Sequence, residues 1–156
     1  GFEGGHVGPG QGPYLEAYPR AANENLERIT ENGQMKYLLI IGLGGAGGTM
    51  ARWLVQVSIA KYMTVAFPLG TLVVNVSGCF IIGLLYGLSD KYSWMTMEWR
   101  LLLITGVCGG YTTFSSYAFE SAGLIRQGNY SYFILYVLGS VALGLLATMA
   151  GIAIIK

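Results

Sequence analysis

The chain has 156 residues, 53% of them hydrophobic and only 11% charged, with a formal net charge of +1. That balance is too apolar for an ordinary soluble domain and too short for two large ones. It indicates a small integral membrane protein whose surroundings are lipid, with no nucleic-acid partner expected.

Residues 1–34 are rich in Gly, Pro, Asn and Glu and carry no sustained apolar period, so they read as a flexible extension or an expression remnant. Within them only Ala21 to Glu31 suggests a short helix. Met35 followed by Lys36 and an apolar run reads as the natural start of a membrane domain over 35–156. The acids are segregated: Glu3, Glu16, Glu24, Glu27 and Glu31 precede Met35, and none occurs between Glu31 and Asp90.

Four apolar segments follow, Tyr37 to Ala60, Ala66 to Leu88, Leu101 to Ile125 and Tyr130 to Ile155. Each has at least the ~20 residues that a helix needs to cross the hydrocarbon. The connections are short, so the fold class expected is an all-α membrane protein of four transmembrane helices. Lys and Arg are almost evenly divided between the two sides, with Lys36, Lys91, Arg100 and Lys156 against Arg52, Lys61 and Arg126. Because the bias of these residues sets orientation, so weak a preference permits insertion both ways and an antiparallel dimer of one sequence.

In the first segment Gly44 and Gly48 have the GxxxG spacing that lets helices approach closely, as do Gly83 with Gly87 and Gly106 with Gly110. Arg52, near the end of that segment, has two readings: it snorkels to the interface, or it lines a vestibule and draws anions in. In the second segment Asn75 lies near the middle, with Thr71 and Gly78 on its face. An amide in lipid is costly, so Asn75 faces protein as an interhelical hydrogen bond or faces a pore as an anion ligand.

The third segment contains GVCGGYTTFSSY from Gly106 to Tyr117, which crowds glycines, hydroxyls and aromatics into an apolar span. Non-helical backbone at membrane depth is tolerated only where protein buries it or a polar cavity meets it, so a break mid-membrane here predicts an ion or substrate site. Thr113 and Ser115 supply hydroxyls beside it, while Phe114 and Tyr117 share a helical face and can offer ring edges to an anion. Glu120 is the only acid in this span and has two readings, a pore mouth or simple access to water. In the fourth segment Tyr132, Tyr136, Ser140, Gly144 and Thr148 recur every four residues, giving either a wet track, best carried by Tyr136 and Ser140, or a packing seam.

No constellation of catalytic type is present, and an enzyme is not expected. His6 is the single histidine, and Cys79 and Cys108 sit in apolar segments without metal-ligand spacing. Gly42, Gly44 and Gly47 fit a dinucleotide fingerprint, but the acid that should follow about 20 residues later is missing. A small four-helix proton-coupled multidrug or cation exporter is the alternative function. It needs an intramembrane carboxylate, and the first two spans have none.

Three stretches, GGAGGTMAR from Gly44 to Arg52, GTLVVNVSGCFIIG from Gly70 to Gly83, and GVCGGYTTFSSY, together make the chain resemble the Fluc/CrcB family of fluoride channels over Met35 to Lys156. The resemblance implies a multi-pass protein of the cell (inner) membrane, an antiparallel dual-topology homodimer through which fluoride leaves passively. It also implies a central structural sodium ion on the backbone carbonyls of Gly109 and Thr112. It assigns Asn75 and Phe114 to the pore and Arg52 to the family's motif arginine. Tyr117 stands where the family usually has a second phenylalanine.

Overall fold

The computed structural model describes residues 34–62 and 67–156, so the expected Ala21–Glu31 helix lies outside the described residues. Residues Tyr37–Lys156 form one compact unit. Helix α1 runs Gln34–Tyr62, α2 Leu69–Lys91 and α3 the single turn Met97–Arg100. A wide π-helical stretch, Leu101–Cys108, leads into another short turn, α4 (Gly109–Tyr111), followed by α5 (Phe114–Arg126) and α6 (Tyr130–Ile155). Three of these, α1, α2 and α6, are long and apolar enough to cross a membrane.

The core is small, because lipid rather than water surrounds the rods and helix contact comes from close packing. Val74, Tyr136 and Thr71 are sealed inside, while Leu135, Leu138, Leu145 and Met149 on the opposite side of α6 stay exposed. Glycine makes the approach possible. A Cβ at Gly48 would strike the carbonyl oxygen of Val107, and one at Gly44 the carbonyl oxygen of Leu102, so α1 meets the π-helical stretch backbone to backbone. The same happens between α2 and α6, where a Cβ at Gly83 would meet the Thr148 carbonyl and one at Gly151 the Phe80 carbonyl.

The ends of the rods are also tied. Lys91 Nζ donates to the carbonyl of Ile155 at 2.5 Å, joining the end of α2 to the end of α6. Arg100 donates to the Ser89 carbonyl at 3.1 Å. At the other end α5 stops in a Schellman turn. Gly128 takes φ +75, the left-handed region that glycine enters without strain, while the Asn129 N–H donates to the Leu124 carbonyl at 2.9 Å.

The wide turns of Leu101–Cys108 bond i→i+5 instead of i→i+4, a rare geometry frequent at functional sites. Thr112 (φ −77, ψ 157) and Thr113 (φ −150, ψ 118) then take extended angles between α4 and α5. The helix restarts because Thr113 is an N-cap: its Oγ1 accepts the Ser116 N–H at 3.2 Å.

Gly48→Ala is expected to lower the unfolding free energy by about 1–3 kcal/mol through overpacking. Gly42→Ala, where a Cβ meets nothing within 4 Å, should stay within about 0.5 kcal/mol. Thermal unfolding in detergent measures both.

Candidate functional site

Everything of chemical interest gathers around Thr112 and Thr113. Asn75 reaches across from α2 and binds the backbone of Thr113 twice: its Oδ1 accepts the Thr113 N–H at 2.8 Å, and its Nδ2 donates to the Thr113 carbonyl at 3.1 Å. The amide therefore imitates a neighbouring strand and supplies partners that a helix would otherwise provide. One Nδ2 hydrogen is left over after these two bonds.

Those bonds have a second effect. In a continuous helix the Thr113 N–H would donate to the Gly109 carbonyl, but Asn75 takes it. Likewise the Ser116 N–H, which would serve the Thr112 carbonyl, goes to Thr113 Oγ1. Gly109 and Thr112 thus each present a carbonyl oxygen relieved of its regular helical donor. Among the described residues no cluster of three or more His, Cys, Asp or Glu offers a metal site, so backbone oxygens are the hard ligands available here.

A cavity of about 340 Å³ opens beside this point, with Asn75, Thr113, Phe114, Tyr117 and Ser140 in its wall. Ser140 Oγ is buried and has no hydrogen-bond partner. The Phe114 ring, 80% exposed, lies 5.7 Å from Tyr117, which lies 5.1 Å from Tyr136. The rings form a file leading from Thr113 toward α6.

A larger cavity of about 780 Å³ has Gln56, Thr71, Ser115, Ser116 and Glu120 in its wall. Glu120 is bound at both oxygens: Thr71 Oγ1 donates to Oε1 and Tyr136 OH donates to Oε2, each at 2.7 Å. Such short O–H to carboxylate bonds are the strong, charge-assisted kind. Gln56 Nε2 in turn donates to Thr71 Oγ1 at 3.1 Å. Phe67 closes the side of this network, edge-on to Tyr136 at 5.5 Å.

Of the residues singled out from sequence, Asn75, Thr112, Thr113, Phe114, Tyr117 and Ser140 line the smaller cavity and Ser115 the larger. Tyr136 lines neither cavity but touches a wall residue of each, Tyr117 through its ring and Glu120 through its hydroxyl. Arg52 is half-buried on α1 and lines neither cavity. Gly109 is exposed, with open space where a Cβ would stand. Sequence reasoning gave no role to Gln56 and left Thr71 and Glu120 without partners. The signal for Thr71 was its place one turn before Asn75; for Gln56 it was only an amide in an apolar span.

Comparison with known proteins agrees on one family. Residues 39–152 match the model of the CrcB-like protein family, Camphor Resistance (CrcB). A protein of Phocaeicola vulgatus named "Fluoride-specific ion channel FluC" is 45% identical over 118 residues, covering 76% of this chain and 97% of that one. Proteins of the same name from Chlorobium phaeobacteroides and Solibacter usitatus are 46% and 47% identical, each match covering 76% and 75% of this chain and 92% and 95% of theirs. With several membrane-crossing helices and a family match over most of its length, this multi-pass membrane protein belongs to the CrcB-like family.

Proposed function

We infer that the protein is a passive fluoride channel, acting as an antiparallel homodimer in the cell membrane to let the ion leave the cell. The observation that carries this reading is the smaller cavity, where an unpartnered Ser140 hydroxyl, the spare Asn75 amide hydrogen and the Phe114 and Tyr117 rings share one wall. These groups are weak donors without a full positive charge. They can replace the water of a small, strongly hydrated anion contact by contact, and release it again, as conduction requires. A lysine here would hold the ion too firmly.

The wider cavity serves as the entrance, where the anion still keeps water and meets Ser115 and Ser116. Arg52 acts at longer range, raising the local anion concentration. Glu120 does not oppose the ion strongly because Thr71 and Tyr136 donate to both of its oxygens. Chloride is excluded by size, and by the poor fit of donors set for a smaller ion. The names of the relatives support fluoride as the ion carried.

Thr112 and Thr113 are read as the mid-membrane break in the third span. The freed carbonyls of Gly109 and Thr112, doubled by a second copy, suit a small hard cation. Sodium is the proposed occupant, clamping two crossing breaks as a structural part and supplying charge to their backbone. The near balance of Lys and Arg supports antiparallel insertion. The exporter alternative rests on Glu120 as its only intramembrane carboxylate. It predicts substrate flux that depends on a proton gradient.

Liposomes holding the purified protein should release fluoride and retain chloride, without an imposed proton gradient. An ion-selective electrode measures this, and equal release of the two halides refutes the selectivity. Asn75→Ala, which removes both bonds to Thr113 at about 1 kcal/mol each, should slow release tenfold or more, by the rule that about 1.4 kcal/mol is a factor of ten. Phe114→Ile should slow it severalfold while the protein still elutes as a dimer. A density map of the dimer should show an ion between the Gly109 and Thr112 carbonyls of the two copies; empty space there rejects the sodium.

A further inference from the structure

Hydroxyls on the helices of this protein commonly turn back onto their own backbone. Ser77 Oγ donates to the Val73 carbonyl at 2.7 Å, Thr148 Oγ1 to Gly144 at 3.0 Å and Thr112 Oγ1 to Cys108 at 3.0 Å, each four residues earlier. This is the ordinary local bond of serine and threonine in a helix. Thr71 departs from it, for its hydroxyl leaves α2 and donates to Glu120 on α5. It is also the hydroxyl that receives an amide donor from α1, the Nε2 of Gln56.

The two facts are chemically connected. A side-chain amide N–H can only donate, so Gln56 occupies a lone pair of Thr71 Oγ1 and anchors that oxygen toward the larger cavity. With the oxygen held there, the hydroxyl proton points at Glu120 Oε1. Tyr136 holds Oε2 from α6, so four helices meet in one directed chain: amide to hydroxyl to carboxylate, with the phenol closing it.

We propose that Gln56 is a positioning residue of the passage, acting through Thr71 to keep the Glu120 carboxylate turned onto its hydroxyl donors and away from the anion path. The inference rests on the channel reading above. Without the amide, Thr71 falls back onto its own helix and Glu120 Oε1 loses its donor. A carboxylate oxygen so released faces the cavity and repels the entering ion.

The test uses near-isosteric variants of the full chain in liposomes: Gln56→Met, Thr71→Val and the two combined. Gln56→Met should slow fluoride release about fivefold, the worth of one hydrogen bond near 1 ± 0.5 kcal/mol. Thr71→Val should slow it at least as much. The double variant should be no slower than Thr71→Val alone, because Gln56 then has nothing left to act through. A merely structural role for Gln56 gives additive losses instead. Additive losses, or a Gln56→Met rate equal to wild type, overturn the inference while leaving the channel reading intact. A wild type that releases no fluoride overturns both. Fluoride efflux by electrode and dimer elution by size exclusion are recorded for every variant, so a misfolded one is recognised; Gln56→Leu then replaces Gln56→Met with the same expectations.

Discussion

The structure depends on one pairing, the double hydrogen bond between the Asn75 side chain and the backbone of Thr113. Two extended residues inside a lipid-embedded protein would otherwise leave an N–H and a carbonyl without partners, at a cost of several kcal/mol in hydrocarbon. One amide meets both needs. By diverting the Thr113 N–H it also frees the Gly109 carbonyl, and the Thr113 cap on Ser116 does the same for Thr112. The residue that makes the irregular backbone tolerable therefore also creates the chemistry found there.

The two cavities near this pairing differ in chemistry. The smaller cavity, with Asn75, Ser140, Phe114 and Tyr117, has neutral polar groups and no charged one in its wall. The larger has the carboxylate, but bound to two hydroxyls. Tyr136, fully buried, links a wall residue of each: its ring meets Tyr117 and its hydroxyl meets Glu120. Tyr117 thus keeps the file of aromatic rings continuous between Phe114 and Tyr136.

Much of this was legible in the sequence because membrane proteins punish polar groups and irregular backbone. Asn75 stood out for the cost of an amide in lipid, and GVCGGYTTFSSY for its poor fit to a continuous helix. The GxxxG pairs announced close approach, which Gly48 against Val107 and Gly83 against Thr148 make concrete. Other features were not legible for an equally physical reason. The two readings of Asn75, hydrogen bond or anion ligand, could not be separated by residue type, since the amide has enough donors for both. Glu120 looked isolated because its partners lie 49 residues earlier and 16 later. The π-helical stretch Leu101–Cys108 left no trace in composition, as its residues would suit an ordinary α-helix. The four-residue ridge of α6 proved divided: Gly144 and Thr148 pack against α2, Ser140 lines the smaller cavity, and Tyr136 is buried with its hydroxyl on Glu120.

Main-chain atoms meet directly where α2 crosses α6, and Lys91 fastens their far ends. Asn75 and Ser140 stand on those same two rods. Side chains intervene elsewhere on the seam, Cys79 against Gly144 and Ile155 against Gly87, so peptide geometry sets the separation most tightly at Gly83 and Gly151. On the channel reading, a gauge tied in this way resists widening for a bulkier guest, and discrimination by diameter would be inherited from the scaffold itself.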